Sequence, residues 1–116
     1  EEYLRKNRET TDVQRVGFIN ALKRGVKLAY GTDSGVYPHG QNAKQFAYMV
    51  RYGMTPMQAI QSATIRAAEL LGKEKMLGAI AAGRFADLVA VKENPLTNIT
   101  ALENIALVMK DGKIVR

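Results

Sequence analysis

The spacing of apolar residues divides the chain into a helical part and a β part. Near its start, four apolar residues lie three positions apart, as on one face of a helix: Val13, Val16, Ile19 and Leu22. Thr11 and Gln14 have the spacing of a capping box, in which two side chains satisfy backbone amides at a helix N-terminus. Gly25 is typical of the residue that follows a helix. We therefore predict a helix that begins at Thr11 and ends at Gly25.

The next segment, VKLAY, has the two-residue period of a strand. Val26, Leu28 and Tyr30 alternate with Lys27 and Ala29, which predicts a short strand. A loop of small residues, GTDSG, follows directly. The order of elements at this point is helix, strand, loop.

Helical spacing returns after the loop, where Gly53 closes a run of apolar residues at that spacing: Phe46, Met49 and Val50. Thr55 and Gln58 then form a second capping box, with Pro56 at the first helical position. The new helix is expected to run to about Leu71. Its expected buried stripe consists of Ile60, Ala63, Ala67 and Leu71.

Beyond Lys75 the period is that of strands. Two short apolar runs surround an Ala-Gly turn in GAIAAGRFADLVAV, and IALVMKDGKIV reads as a hairpin around Asp111 and Gly112. Three or four short strands are too few to build a core of their own. We therefore expect them to pair with a sheet that other residues supply.

Composition narrows the class of protein. A chain of 116 residues with 47% apolar and 24% charged residues can form one modest domain or a piece of a larger one. It contains no cysteine, which excludes disulfides and thiolate metal sites, and no apolar run long enough to span a membrane. The net charge of +6 comes from scattered Lys and Arg without interleaved aromatic residues, so nucleic acid is not an expected partner.

The candidate chemistry lies in the loop after VKLAY, where Asp33 is a lone acid. It is either a turn or cap residue or a catalytic carboxylate, and Thr32 and Ser34 either hold that carboxylate by hydrogen bonds or only form the turn. The loop lacks the Lys and Ser/Thr spacing of a phosphate-binding P-loop. Asp-Ser-Gly after an apolar strand also occurs in dimeric aspartic proteases, but the two flanking helices argue against that nearly all-β fold.

Five segments in order resemble the C-terminal portion of the metal-dependent amidohydrolase superfamily: GTDSG, PHG, MVRYGMTPMQAIQSATIRAAELLG, GAIAAGRFADLVAVKENPL and LVMKDGKIV. The imidazolonepropionase-like and Xaa-Pro dipeptidase-like enzymes are the most similar. The resemblance covers nearly the whole chain from about Val16 onward.

The resemblance implies a role for Asp33 as the aspartate at the end of the last barrel strand. In that family this residue ligates a catalytic divalent metal and takes a proton from the hydrolytic water, and we expect one or two such ions here, with zinc as the expected metal. The remaining metal ligands of the family would come from strands that this chain does not contain. The loop that carries His39 and Tyr37 borders the substrate pocket in the family, so these two residues are expected to contact substrate.

The expected fold is therefore α/β: the C-terminal end of a (β/α)8 TIM barrel plus the closing strands of a small β-sandwich-like domain, as a fragment of a larger chain. Residues 1–74 would hold the last helices and the final strand of the barrel, and residues 75–116 the strands of the small domain. The expected partners are the remainder of that barrel and domain and a small peptide-like substrate, while association between copies stays open.

The expected reaction is hydrolysis of an amide C–N bond in a dipeptide or N-acyl amino acid by metal-activated water. A cyclic imidazolone substrate is the alternative within the family. A different class of interpretation is that the chain alone is a non-catalytic structural or interaction fragment, because a single ligand cannot hold a catalytic metal tightly.

Overall fold

The computed structural model describes residues 1–35 and 38–116 of the chain. Four α-helices come first, α1 (Glu2–Lys23), α2 (Lys44–Arg51), α3 (Pro56–Ala63) and α4 (Ile65–Leu70). A strand, a 3-10 helix and two further strands follow: β1 (Leu88–Val91), the 3-10 helix (Ile99–Glu103), β2 (Ile105–Lys110) and β3 (Lys113–Ile114). No described helix is long and apolar enough to cross a membrane.

Helix α1 begins nine residues earlier than the sequence pattern predicted. The Thr11 capping box is wrong, because Thr11 lies inside the helix and its hydroxyl donates to the Asn7 carbonyl oxygen at 2.7 Å. The charged start of the chain forms helix instead, with i,i+4 ion pairs between Lys6 and Glu2 and between Arg5 and Glu9. The predicted end is confirmed, since the helix stops at Lys23 and Gly25 follows in a left-handed conformation.

The segment Val26–Tyr30 is neither helical nor paired as a strand among the described residues. One backbone hydrogen bond holds its end, from Tyr30 N to Ser62 O at 2.9 Å. A strand needs a neighbour to form a ladder, and parallel neighbours are distant in sequence. The predicted strand is therefore not formed within the described chain, although its end is fixed to α3.

The second predicted capping box is confirmed. The helix that it starts is shorter than predicted. Thr55 Oγ1 accepts from Gln58 N and Thr55 N donates to Gln58 Oε1, which starts α3 at Pro56. The helix breaks at Thr64, where φ is −119° and ψ is −96°, and α4 continues from Ile65. The single helix predicted to reach about Leu71 is thus two short ones.

The break changes which residues are buried. Ala59, Ser62 and Ala68 are the buried residues of α3 and α4. The predicted stripe of Ile60, Ala63, Ala67 and Leu71 instead lines an apolar groove that faces the β-sheet. Leu71 is 66% exposed, because it faces this groove rather than a closely packed neighbour.

The tail strands pair with one another in a sheet of their own, and their pairing with a sheet that other residues supply stays a prediction. They form an antiparallel sheet in the order β1-β2-β3, with Val89 opposite Val108 and a register shift after Ala90. The hairpin predicted at Asp111 and Gly112 is confirmed, because both residues have positive φ and join β2 to β3. The first apolar run of this region, residues 78–82, forms no strand in the described chain.

A small hydrophobic core packs α2 and α3 against the 3-10 helix. Its buried members are Met49, Met54, Ala59 and Ile99. Phe18 of α1 and Tyr30 at the end of the extended segment pack against it. Because Ile99 belongs to the 3-10 helix, residues on both sides of position 74 share this core. The division into residues 1–74 and 75–116 remains a prediction.

Candidate active site

The candidate site is the loop that follows Tyr30, and Tyr30 fixes its start. The Tyr30 ring stacks on Phe46 of α2 with centroids 4.4 Å apart, and its hydroxyl donates to the Asn42 carbonyl oxygen. Gln45, also on α2, donates from Nε2 to the Gly31 carbonyl oxygen at 3.2 Å. The first residues of the loop are therefore held against α2.

Asp33 lies at an exposed turn in this loop. Its φ is 47°, in the left-handed region that only Gly, Asn and Asp adopt readily. No hydrogen bond or ion pair to its carboxylate occurs within residues 1–35 and 38–116. The sequence left two interpretations open, a structural turn or cap residue and a catalytic one. The described residues give this carboxylate no capping bond, and its catalytic role stays a prediction.

The two hydroxyls beside Asp33 both accept hydrogen bonds from Asn42. Asn42 Nδ2 donates to Thr32 Oγ1 at 2.8 Å and to Ser34 Oγ at 2.5 Å. The hydroxyl oxygens lie 3.3 Å from each other. Sequence analysis proposed Thr32 and Ser34 as candidate supports for the carboxylate and did not identify Asn42. Its only feature in the sequence is the general preference of Asn for loops, which does not distinguish Asn42 from an ordinary turn residue.

His39 is exposed at the far end of the same loop, just before Gly40. In the described residues, no hydrogen bond or ion pair joins its imidazole to another side chain. Tyr37, the other predicted substrate contact, lies outside the described residues. The structure thus places Asp33 and His39 in one loop without a direct bond between them.

Among the residues that the structure describes, no three His, Cys, Asp or Glu side chains lie close enough together to hold a metal ion. Asp33 still fits one position of such a site, because its carboxylate is exposed, is not engaged by any described residue, and carboxylate oxygen is a normal zinc ligand. A catalytic zinc site normally has three protein ligands. Any further ligands would therefore come from other parts of a longer protein.

Two carboxyl groups outside the loop have lowered pKa values, and both connect separate elements. Hydrogen bonds from Arg66 and Lys27 lower the pKa of Glu69, which links α4 to the extended segment. Hydrogen bonds from the Lys110 side chain and the Asp111 backbone lower the pKa of Asp87. Both carboxylates are bonded within the fold, so their role here is structural.

Asn98, which begins the sequence NIT, is also engaged within the fold. Its side chain accepts from Thr100 N and Thr100 Oγ1, and its amide donates to Glu93 Oε2 at 2.9 Å. These bonds cap the 3-10 helix. Asn98 therefore has a structural role as the cap of the 3-10 helix.

Comparison with known proteins decides the family. The model of the amidohydrolase family matches residues 3–115. The chain belongs to the amidohydrolase family. Among curated relatives, ochratoxinase of Aspergillus niger is 36% identical over 104 residues, which are 85% of this chain and 21% of that protein. Imidazolonepropionase of Shouchella clausii is 32% identical over 102 residues, 81% of this chain and 22% of that protein.

Solved structures of this amidohydrolase family show the same local fold. A Xaa-Pro dipeptidase with bound methionine superposes with a TM-score of 0.85 and 51% identity, over 88% of this chain and 25% of that one. The ochratoxinase of A. niger gives a TM-score of 0.86 with 33% identity, over 100% of this chain and 27% of that one. A prolidase complexed with N-methylphosphonate-L-proline gives 0.80 with 29% identity, over 88% and 26%.

These amidohydrolases are much longer than the chain. The chain spans about a fifth to a quarter of each relative, namely 21% of the ochratoxinase sequence and 25% of the dipeptidase structure. The sequence-based resemblance to imidazolonepropionase-like and Xaa-Pro dipeptidase-like members of the family is confirmed.

Proposed function

We propose that the protein containing this chain is a metal-dependent hydrolase that cleaves an amide C–N bond of a dipeptide or N-acyl amino acid. The observation that carries the proposal is Asp33, an exposed carboxylate in a left-handed turn at the end of a segment fixed to α2 and α3. Similarity to a Xaa-Pro dipeptidase and a prolidase supports a peptide-like substrate. The rest of a (β/α)8 barrel would supply the remaining site residues.

Asp33 would be both a metal ligand and the general base. When bound, a divalent ion, most suitably zinc, polarises the scissile carbonyl and lowers the pKa of a bound water toward neutrality. The Asp33 carboxylate accepts the proton of the attacking water and returns it to the leaving amine. Because the segment before the loop is fixed to α2 and α3, the exposed Asp33 carboxylate can reach the attacking water and the leaving amine with little reorganisation.

His39 and Tyr37 are proposed to contact the substrate rather than the metal. His39 is exposed in the same loop as Asp33, where it can bond a substrate carboxylate or carbonyl without changing the fold. Replacing His39 by Ala should therefore raise KM more than it lowers kcat. The isolated chain of residues 1–116 is proposed to be inactive, because one carboxylate cannot retain a catalytic metal.

The test is the Asp33→Asn variant in the full-length, zinc-loaded protein. Asn keeps the size and tolerates the same backbone conformation, so the fold should be retained while the base is lost. Turnover should fall by about 100-fold or more, the usual range of a general-base contribution. Asp12→Asn, a change of an exposed carboxylate on α1, is the matched control and should retain activity.

The substrate class is tested with a library that contains Met-Pro, other Xaa-Pro dipeptides, N-acyl amino acids, imidazolonepropionate and adenine. Turnover of the peptides is expected. Turnover of imidazolonepropionate alone would assign the protein to the cyclic amidohydrolases, which the relative from S. clausii represents. Turnover of adenine alone would point to the deaminases, since adenine deaminase of Moorella thermoacetica is 40% identical over 57% of this chain.

Near-normal activity of Asp33→Asn would reject the catalytic role itself.

The aspartic protease alternative gains no support. Helices α1 and α2 lie on either side of Asp33, and the family match covers nearly the whole chain. Inhibition by pepstatin-like compounds together with indifference to chelators would be needed to revive it.

A further inference from the structure

Asn42 is the one described side chain that bonds to both neighbours of Asp33. Its Nδ2 donates to Thr32 Oγ1, ten positions away, and to Ser34 Oγ, eight positions away. A primary amide has two N–H donors, and this arrangement uses one for each hydroxyl. Thr32 and Ser34, which flank Asp33, are therefore both hydrogen-bonded to the Nδ2 atom of Asn42.

The backbone fixes which way the Asn42 amide points. Gly40 N donates to Asn42 Oδ1 at 3.2 Å. If the amide were flipped, an N–H donor would face the Gly40 N–H donor, and that bond would be lost. The oxygen must therefore face Gly40, which leaves the Nδ2 group directed at the two hydroxyls.

Asn42 is itself attached to the core. Its backbone carbonyl oxygen accepts a hydrogen bond from the Tyr30 hydroxyl. The backbone N of Tyr30 donates in turn to the backbone carbonyl oxygen of Ser62, a residue that is 1% exposed. The Tyr30 ring also stacks on Phe46. A continuous set of contacts thus runs from buried α3 through Tyr30 and Asn42 to the two hydroxyls beside Asp33.

This attachment opposes relaxation of Asp33. A left-handed conformation is uncommon for a non-glycine residue, and Asp adopts it more readily than most, so bonds to the neighbouring residues help to hold it. Thr32 and Ser34, the residues on either side, are what the Asn42 amide holds. We propose that Asn42 is the positioning residue of the Asp33 carboxylate, acting through these two hydroxyls. This inference rests on the proposed catalytic role of Asp33.

The experiment compares four variants of the full-length protein with the library substrate that the unmodified protein cleaves fastest. Asn42→Ala removes both bonds, Ser34→Ala removes one, and the Asn42→Ala/Ser34→Ala double variant tests whether the two act together. Gln41→Ala is the matched control, because Gln41 is the adjacent exposed amide and its described side-chain bond is to Lys44 Nζ.

Asn42→Ala should lower kcat by about 10–100-fold with little change in KM, as for residues that orient a ligand of a metal site. Ser34→Ala should lower kcat by a smaller factor. The double variant should lose no more than Asn42→Ala alone, because both changes remove the same contact. Gln41→Ala should match the unmodified protein.

A second measurement does not depend on turnover. The rate at which bound zinc passes to a chromogenic chelator should rise in Asn42→Ala and stay unchanged in Gln41→Ala. Thermal unfolding checks that each variant is folded. If Asn42→Ala does not fold, Ser34→Ala carries the same test, with a fall in kcat and faster zinc loss as the expected result.

Several outcomes would overturn the inference. These are a kcat of Asn42→Ala within twofold of the unmodified protein, losses that multiply in the double variant, or a rise in KM alone. If any of these occurs while Asp33→Asn is inactive, the inference fails and the proposed function stands. If Asp33→Asn remains active, the proposed function fails and the positioning role fails with it.

Discussion

Gly78 allows a sharp test of how the tail is attached to the helices. It lies at the break between α3 and α4 with a φ of +84°. A Cβ placed there would meet Ile65 Cα at 2.8 Å, Thr64 O at 2.8 Å and Ala68 Cβ at 2.9 Å. Two of these three atoms belong to the backbone, so the contact can be relieved only by moving α4.

The magnitude of Gly78→Ala follows from two contributions. A non-glycine residue at positive φ costs about 1–2 kcal/mol. Overpacking against a rigid neighbour costs about 1–3 kcal/mol more. Gly83 separates the two, because its φ is +82° and, apart from its chain neighbours, no described residue has an atom within 4 Å of an added Cβ. Gly83→Ala should therefore show only the backbone contribution.

The assay is urea unfolding of the full-length protein and both variants, followed by circular dichroism. Gly78→Ala should be less stable than Gly83→Ala by about 1–3 kcal/mol, the overpacking term alone. Equal losses in the two variants would refute the reasoning, because they would show that the approach of Gly78 to α4 does not constrain the fold.

Two further predictions concern the ends of elements. Replacing Thr55 by Ala removes the side-chain acceptor of the capping box with Gln58 and should cost about 1 kcal/mol in thermal unfolding, whereas Thr55→Ser should be nearly neutral. Asp87 has a pKa lowered from its ordinary value of 3.8 by bonds from Lys110 and Asp111, so its contribution to stability is fully present above about pH 4 and is lost as the pH falls through the lowered pKa. Asp87→Asn should be less stable at pH 7 and should lack this acid dependence when unfolding is measured between pH 2 and 7; an unchanged acid dependence would contradict the assignment.

Two local signals in the sequence predicted local structure, whereas the Thr11 capping box was wrong. The Thr55 capping box and the Asp111 turn were correct, because each depends on residues within four positions of one another. The start of α1 was missed because the ion pair of Lys6 with Glu2 stabilises a helix whose apolar face is weak. The break at Thr64 was missed as well, and Gly78 from a distant segment lies against it.

The candidate site was predictable only in part, for the same reason. Asp33 could be singled out because family resemblance and its place after an extended segment agreed. Whether Asp33 ligates a metal, and whether His39 and Tyr37 contact substrate, remain predictions. Asn42 could not be found from sequence, because its contacts to Thr32 and Ser34 cross eight to ten positions and depend on the folded loop.

The left-handed conformation of Asp33 limits how this position can change during evolution. Of the residues that most readily adopt a φ near 47°, Gly, Asn and Asp, only Asp carries a carboxylate. A single nucleotide change converts an Asp codon into an Asn or a Gly codon. Under the role proposed for Asp33, such a change would keep the backbone conformation and remove the base in one step.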